Sequence, residues 1–339
     1  MRRKCVFVGF AFPHHKGTHA GYNHISDYLH YDYLIGCEPF YLKCQKSNSS
    51  FISRAFRHIS RKCFGYSAFP FHILRCIFLG ITHDNLIFHF IYTENTYLII
   101  KKFIRNGNRI VLTIHQPYEW FDNDLWWNRL RSADKVIILS NSEINQFSRK
   151  LGPNKVVFIP HGIDTNYYKP DFTVPKIPMI LTVGNWLRDF EFGDIIYQKL
   201  KKYSDSIRIS VVGLPANKQY ITDWDRIDFL SGITDDELKL LYQRCSVLFL
   251  PLKRFTANNA LLEAAATGCK ILIATDATDN CYFPEKLICT IKPEVDKVIS
   301  VIMNSIHIKQ PNLQLSNYVS ENYSWESVAH ITKSIFDEL

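Results

Sequence analysis

The sequence predicts an α/β protein built as two doubly wound, Rossmann-like domains. Three observations predict it. Short runs rich in Val, Ile and Leu recur along the chain and alternate with helical segments, the pattern of parallel strands buried on both faces. The alternation lapses between Asn166 and Pro178, where Pro170, Pro175 and Pro178 punctuate a polar stretch, and then resumes. A length of 339 residues favours two domains over one. The expected division is an N-terminal domain over 1–170, a second over 171–322, and a last segment 323–339. Two such domains on one linker imply a cleft between them.

In chain order, the first half offers strands at Cys5–Gly9, Leu86–Phe90, Arg109–Ile114, Lys135–Leu139 and Lys155–Pro160. The second half begins with a strand at Met179–Gly184 and a helix through Leu200, then a strand at Ile207–Gly213. Thr234-Asp235-Asp236-Glu237 is a capping box, opening a helix from Glu237 to Cys245. Val247–Pro251 and Lys270–Thr275 are apolar runs flanking a helix, which completes a βαβ unit. Ser324-Trp325-Glu326 starts a last helix.

Composition narrows the class. At 47% apolar and 21% charged residues, the chain buries a core, with no low-complexity segment or solenoid repeat. No run is long and apolar enough to span a membrane. Cys5–Phe12 is too short for a leader and reads as the first strand. The nine cysteines include no Cys-x-x-Cys pair and no metal spacing, which points to reduced thiols in a cytoplasmic protein. The net charge of +8 is uneven: no acidic residue lies between Glu38 and Asp84. Lys43, Lys46, Arg54, Arg57, Arg61, Lys62 and Arg75 fall there, interleaved with Phe51, Phe56, Phe64, Phe69 and Phe71. This basic-aromatic segment, 43–75, suits either peripheral contact with an anionic membrane or acceptor, or a solvated helix face over core aromatics. No RNA-binding motif accompanies it, so nucleic acid is not an expected partner.

The most informative stretch is Asn258 to Gly268. Asn258 can cap a helix by accepting from its first free amides, and the helix N-terminus suits a phosphate. Asn259 and Glu263 are four apart and share a face, and an acceptor-only carboxylate matches a ribose diol. An ordinary buried helix with an incidental Glu reads the same residues.

Four segments together resemble the family 4 (group 1) glycosyltransferases of the GT-B fold. Val157–Asp164, containing Ile159-Pro160-His161-Gly162, is similar to their interdomain signature. Leu181-Thr182-Val183-Gly184 with Arg188-Asp189 resembles the first strand and phosphate loop of their nucleotide domain. Leu241–Leu252 resembles its apolar strand ending in proline, and Asn259–Thr275 its acidic helix. The last helix resembles the one that crosses back to the first domain. The resemblance implies nucleotide-binding roles for Gly184, Arg188, Lys253, Asn258, Asn259, Leu261 and Glu263. It implies catalytic roles for His115, Arg188 and Glu263, and acceptor-side roles for Gly17, His19, Gly21 and His161. It further implies sugar transfer from a nucleotide-diphosphate donor to a glycan or lipid-linked acceptor, with retention, in surface polysaccharide synthesis. No metal and no cofactor are expected. Asp122-Asn123-Asp124 imitates a metal motif of another glycosyltransferase fold but stands in the wrong domain.

The sequence departs from that family at Phe255, eight residues before Glu263, where a first glutamate is usual. A phosphate-binding lysine after Arg188 is also missing; Lys253 or Arg254 stands in reach. A nucleotide-sugar epimerase of the same architecture, or a degenerate nucleotide-sugar-binding protein, therefore stays open.

Overall fold

The computed structural model describes residues 2–12, 15, 17–36, 70–254, 256–276 and 282–339. The chain forms two compact units: Met1–Gly162 with Trp325–Leu339, and Ile163–Ser324. The proline-marked stretch from Asn166 to Pro178 lies inside the second unit and is folded. Asp164 accepts from the amides of Asn166 and Tyr167 at 3.1 and 3.0 Å, and Tyr168 is buried.

The first unit is a six-stranded parallel sheet. Its strands are β1 (Lys4–Gly9), β2 (Tyr33–Gly36), β3 (Leu86–Phe90), β4 (Arg109–Ile114), β5 (Lys135–Ile138) and β6 (Val156–Phe158), in the order β2-β1-β3-β4-β5-β6. The second unit repeats the plan with β7 (Ile177–Val183), β8 (Arg208–Val212), β9 (Ile227–Leu230), β10 (Cys245–Pro251), β11 (Lys270–Ala274) and β12 (Cys289–Ile291). Their order is β12-β11-β10-β7-β8-β9, so the winding reverses between β7 and β10. In such sheets a ligand enters outside the carboxyl ends of the strands at that reversal.

Both faces of the second sheet are buried, which explains its continuous apolar strands. Leu248, Leu250, Ile271 and Ile273 pack into one core, while Val247, Phe249, Leu272 and Ala274 pack into another. Each such side chain contributes about 1.5–3 kcal/mol on burial. The strands β2, β9 and β12, which the sequence pattern does not announce, all lie at sheet edges and are half-exposed. An edge strand has water on one side and needs no unbroken apolar run.

Helix ends follow the capping chemistry. Thr234 and Glu237 close the capping box, and the helix therefore starts at Asp235 rather than Glu237. The helix Trp325–Asp337 packs within the first unit through Trp325, Val328, Ala329, Thr332 and Phe336, an i, i+3, i+4, i+7 face. Its Phe336 ring lies 5.3 Å from that of His89. No helix among the described residues is long and apolar enough to cross a membrane.

Candidate active site

In the second unit, the loops after β7 and β10 meet at the reversal of the winding. Arg188 and Leu252 form an antiparallel bridge, the Asp189 amide donates to Pro251 O at 2.9 Å, and the Lys253 amide donates to Leu187 O at 3.0 Å. The β7 loop turns sharply on two left-handed residues, Gly184 at φ 104 and Leu187 at φ 56. At Gly184 the turn favours glycine, because its φ of 104 is one that side chains rarely adopt.

Arg188 organises this loop. Its Nε donates to Val183 O at 2.8 Å, Nη1 to Trp186 O at 3.3 Å, and Nη2 to Asn258 Oδ1 at 3.2 Å. Burial lowers its pKa to about 10, which still leaves the guanidinium charged at neutral pH. Asn258 caps the helix Asn259–Ala266, its Oδ1 also accepting from the Leu261 amide at 3.2 Å. With two donors on Oδ1, the side-chain orientation is fixed by chemistry, and Nδ2 must be the other atom. That Nδ2 is buried and has no hydrogen-bond partner. A buried amide donor without a partner costs about 1–3 kcal/mol, which an acceptor at the helix N-terminus would recover.

Glu263 sits one turn further along the helix, buried at 3% exposure, and accepts from the Tyr242 hydroxyl at 2.9 Å. Burial pushes its pKa up to about 7, against the lowering effect of the Tyr242 bond. Asn259 is half-exposed and Lys253 exposed, while Asn258 and Glu263 keep only 6% and 3% of their surface open. Phe255 lies outside the described residues, as do 37–69, which hold most of the basic-aromatic segment; its Arg75 lies on the helix Pro70–Thr82.

In the first unit, Gly17 and Gly21 are left-handed, at φ 73 and 111, in the loop after β1. A Cβ on Gly21 would meet Asn23 Oδ1 at 2.6 Å. His19 is half-buried between them. His115 follows β4 and lies against the rings of Tyr92 and Tyr22, at 4.6 and 5.2 Å. Its Nε2 donates to Ile91 O at 2.8 Å, and burial lowers its pKa to about 4, so the imidazole is neutral at physiological pH. Its backbone amide and that of Gln116 donate to Glu94 Oε1 at 2.5 and 2.8 Å. Burial raises the pKa of that carboxyl. His161 is buried in an aromatic nest with Tyr22 and Trp325, at 5.3 and 5.4 Å, and its Nδ1 donates to Gly162 O at 2.6 Å. Gly162 carries no side chain because a Cβ would overlap the Trp325 ring.

The structure thus brings Gly184, Arg188, Asn258 and the Leu261 amide together, with Glu263 on the same helix. His115 shares Tyr22 with His161 in the other unit. Sequence reasoning missed Glu94 and Tyr242. Neither has a local signal: each meets its partner, 21 residues away, only once the elements pack, Glu94 beside the end of β4 and Tyr242 on the helix before β10. Among the described residues, no group of three or more His, Cys, Asp and Glu converges as metal ligands would.

Comparison with known proteins agrees with the fold. The Glycosyltransferase Family 4 model matches residues 48–167. A phosphatidylinositol N-acetylglucosaminyltransferase component of Arabidopsis thaliana is 23% identical over 254 residues, 68% of this chain and 56% of its own length. The chain therefore spans little more than half of that curated relative. A glycosyltransferase from Rickettsia africae ESF-5 superposes with a TM-score of 0.66 at 15% identity, over 99% of this chain and 98% of its own. Anabaena Alr3699/HepE, solved in complex with UDP-glucose, superposes with a TM-score of 0.63 at 13% identity, over 100% of both chains. Two parallel Rossmann-like sheets of this order define the GT-B glycosyltransferase fold. Within that fold, the chain is similar to the family 4, or group 1, glycosyltransferases, through the model matched over 48–167 and through the ordered motifs.

Proposed function

We propose that the chain is a retaining, metal-independent glycosyltransferase moving a sugar from a nucleotide-diphosphate donor to a glycan or lipid-linked acceptor. The observation that carries this reading is the Arg188–Asn258 pair at the helix N-terminus, with its unpartnered Nδ2. The diphosphate would lie against Nδ2, the remaining Arg188 N–H groups and the helix dipole, and the ribose hydroxyls against Glu263. In the reaction the sugar–phosphate C–O bond breaks and a glycosidic bond forms on the same face. The acceptor's proton leaves to the departing diphosphate. Charge then grows on that diphosphate, where a charged hydrogen bond is worth about 1.5–3 kcal/mol and the dipole about 0.3–1 kcal/mol. These interactions strengthen in the transition state, which is what accelerates the step.

The relative's name supports a lipid-linked acceptor, and the basic stretch 43–75 supports peripheral placement on the cytoplasmic membrane face. A role in surface polysaccharide synthesis belongs to the same proposal.

The test is a thermal-shift panel with UDP, GDP, ADP, CMP and NAD, each with magnesium or EDTA. A ligand at 100 times its Kd adds about 2.7 kcal/mol. A shift with one nucleoside diphosphate that survives EDTA is expected and names the donor base. A flat panel would mean a degenerate site, and a shift with NAD alone would overturn the reading. Labelled donor then separates transfer from conversion without acceptor, the epimerase outcome, and product NMR reads the anomeric configuration.

A further inference from the structure

The loop after β4 carries an aromatic platform that the nucleotide chemistry leaves unused. Trp120 ends the turn Tyr118–Trp120 and is 40% exposed. It leans on Trp126 with ring centroids 5.0 Å apart, and the Arg129 guanidinium lies over the Trp126 ring at 4.6 Å. Beside the rings, Leu125 is 59% exposed, and the carboxylates of Asp122 and Asp124 are exposed as well.

The platform is held rigidly. The Tyr118 amide donates to Glu143 Oε1 at 3.1 Å, the Trp120 amide to Pro117 O at 3.0 Å, and the Trp126 amide to Asn123 Oδ1 at 3.1 Å. Its loop starts at His115 and Gln116, whose amides are pinned on Glu94. The exposed part of the Trp120 ring adds nothing to the fold, but the ring is already ordered by its neighbours and loses little freedom on binding a ligand. The surrounding charge selects the ligand. Exposed carboxylates repel an anionic lipid surface or a nucleic-acid backbone, and they accept hydrogen bonds from hydroxyl groups. A pyranose ring has one apolar C–H face and a rim of hydroxyls, which matches a tryptophan flanked by aspartates.

We propose that Trp120, braced by Trp126 and flanked by Asp122 and Asp124, is a sugar-stacking subsite for a neutral glycan. Its role as an acceptor subsite rests on the transferase reading; its binding of sugar does not.

The experiment is saturation-transfer NMR on the full chain with cellohexaose, maltohexaose, mannohexaose and chitohexaose. Co-sedimentation with phosphatidylglycerol vesicles and the UDP thermal shift run alongside. Binding of at least one hexaose is expected. Trp120→Ala should weaken it about three- to tenfold, the range of an aromatic contact. Asp122→Asn with Asp124→Asn, a surface change that leaves the rings in place, should weaken it too. The UDP response should be unchanged in all variants. No binding of any hexaose, or binding indifferent to Trp120→Ala, overturns the proposal. Vesicle binding that disappears in Trp120→Ala overturns it in favour of a membrane contact. Hexaose binding without any nucleotide response would remove the transferase reading and leave the sugar subsite standing.

Discussion

Arg188 directs three donors into the protein itself, so its guanidinium shapes the site before any ligand arrives. Lysine cannot reproduce that fork. Arg188→Lys should therefore lower the unliganded Tm and also abolish most of the nucleotide-induced thermal shift; an undiminished shift would show that Arg188 does not meet the phosphates. Glu263 gives the second test at this scale. With its pKa near 7, it is an acceptor-only carboxylate above that pH and carries a proton below it. Nucleotide affinity should fall as pH drops through about 7 in the native protein, and Glu263→Gln should bind weakly at every pH. Isothermal titration from pH 6 to pH 8.5 reads both; a flat profile in the native protein would rule out Glu263 as the ribose acceptor. Glu94 shows why part of the site was not legible. A carboxylate accepting the amides of His115 and Gln116 acts across the sheet, and nothing in its own neighbourhood of sequence distinguishes it from a surface glutamate.

At the scale of elements, legibility follows burial. The central strands β3 and β4 match the apolar runs read from sequence, since burial on both faces favours hydrophobic residues and admits His89 and Thr113 only as a hydrogen-bonded pair. The edge strands carry residues such as Asp228 and Thr290 and leave no such trace. The Asn258 cap was legible for another reason: it is local, its partner amide lying three residues ahead. The helix Trp325–Asp337 supplies a prediction of its own. Trp325 is 1% exposed and fills the space that Gly162 leaves open. Trp325→Ala should cost about 3–5 kcal/mol, as large core truncations do. Gly162→Ala should also destabilise, through overlap rather than a void. Urea unfolding measures both, and a loss under 1 kcal/mol for Trp325→Ala would show that the helix contributes little to its unit.

At the scale of the molecule, the buried histidines of the first unit and the buried Glu263 of the second respond to pH in opposite senses. In the first, burial holds His72 and His115 down to about 4, and His89 and His161 down to about 3. Unfolding lets each take up a proton below about pH 6.5, so their stability is present above that pH and is lost as pH falls toward 4. At pH 5 the loss is about 2 kcal/mol per histidine. Like the buried Glu94 within the first unit, the Glu263 carboxyl of the second works the other way. Its pKa is raised by burial, so the stability of its protonated form is present below about pH 4.3 and is lost as pH rises through about 7. Calorimetry at pH 7.5 and pH 5 should show the first unit's transition moving down on acidification and separating from the second's. Parallel movement of both would contradict the assignment.

The Gly162–Ile163 and Ser324–Trp325 junctions lie side by side in the chain's path: the Ile163 amide bonds Tyr323 O at 2.8 Å, and Ile163 bridges Ser324. The second unit is thus an insertion that leaves and re-enters the first at one point. During synthesis the ribosome completes Ile163–Ser324 before it makes Trp325, so the later unit in sequence is the first that can close its core. The earlier one waits, with the nest of Tyr22 and His161 open, for the helix that follows Ser324.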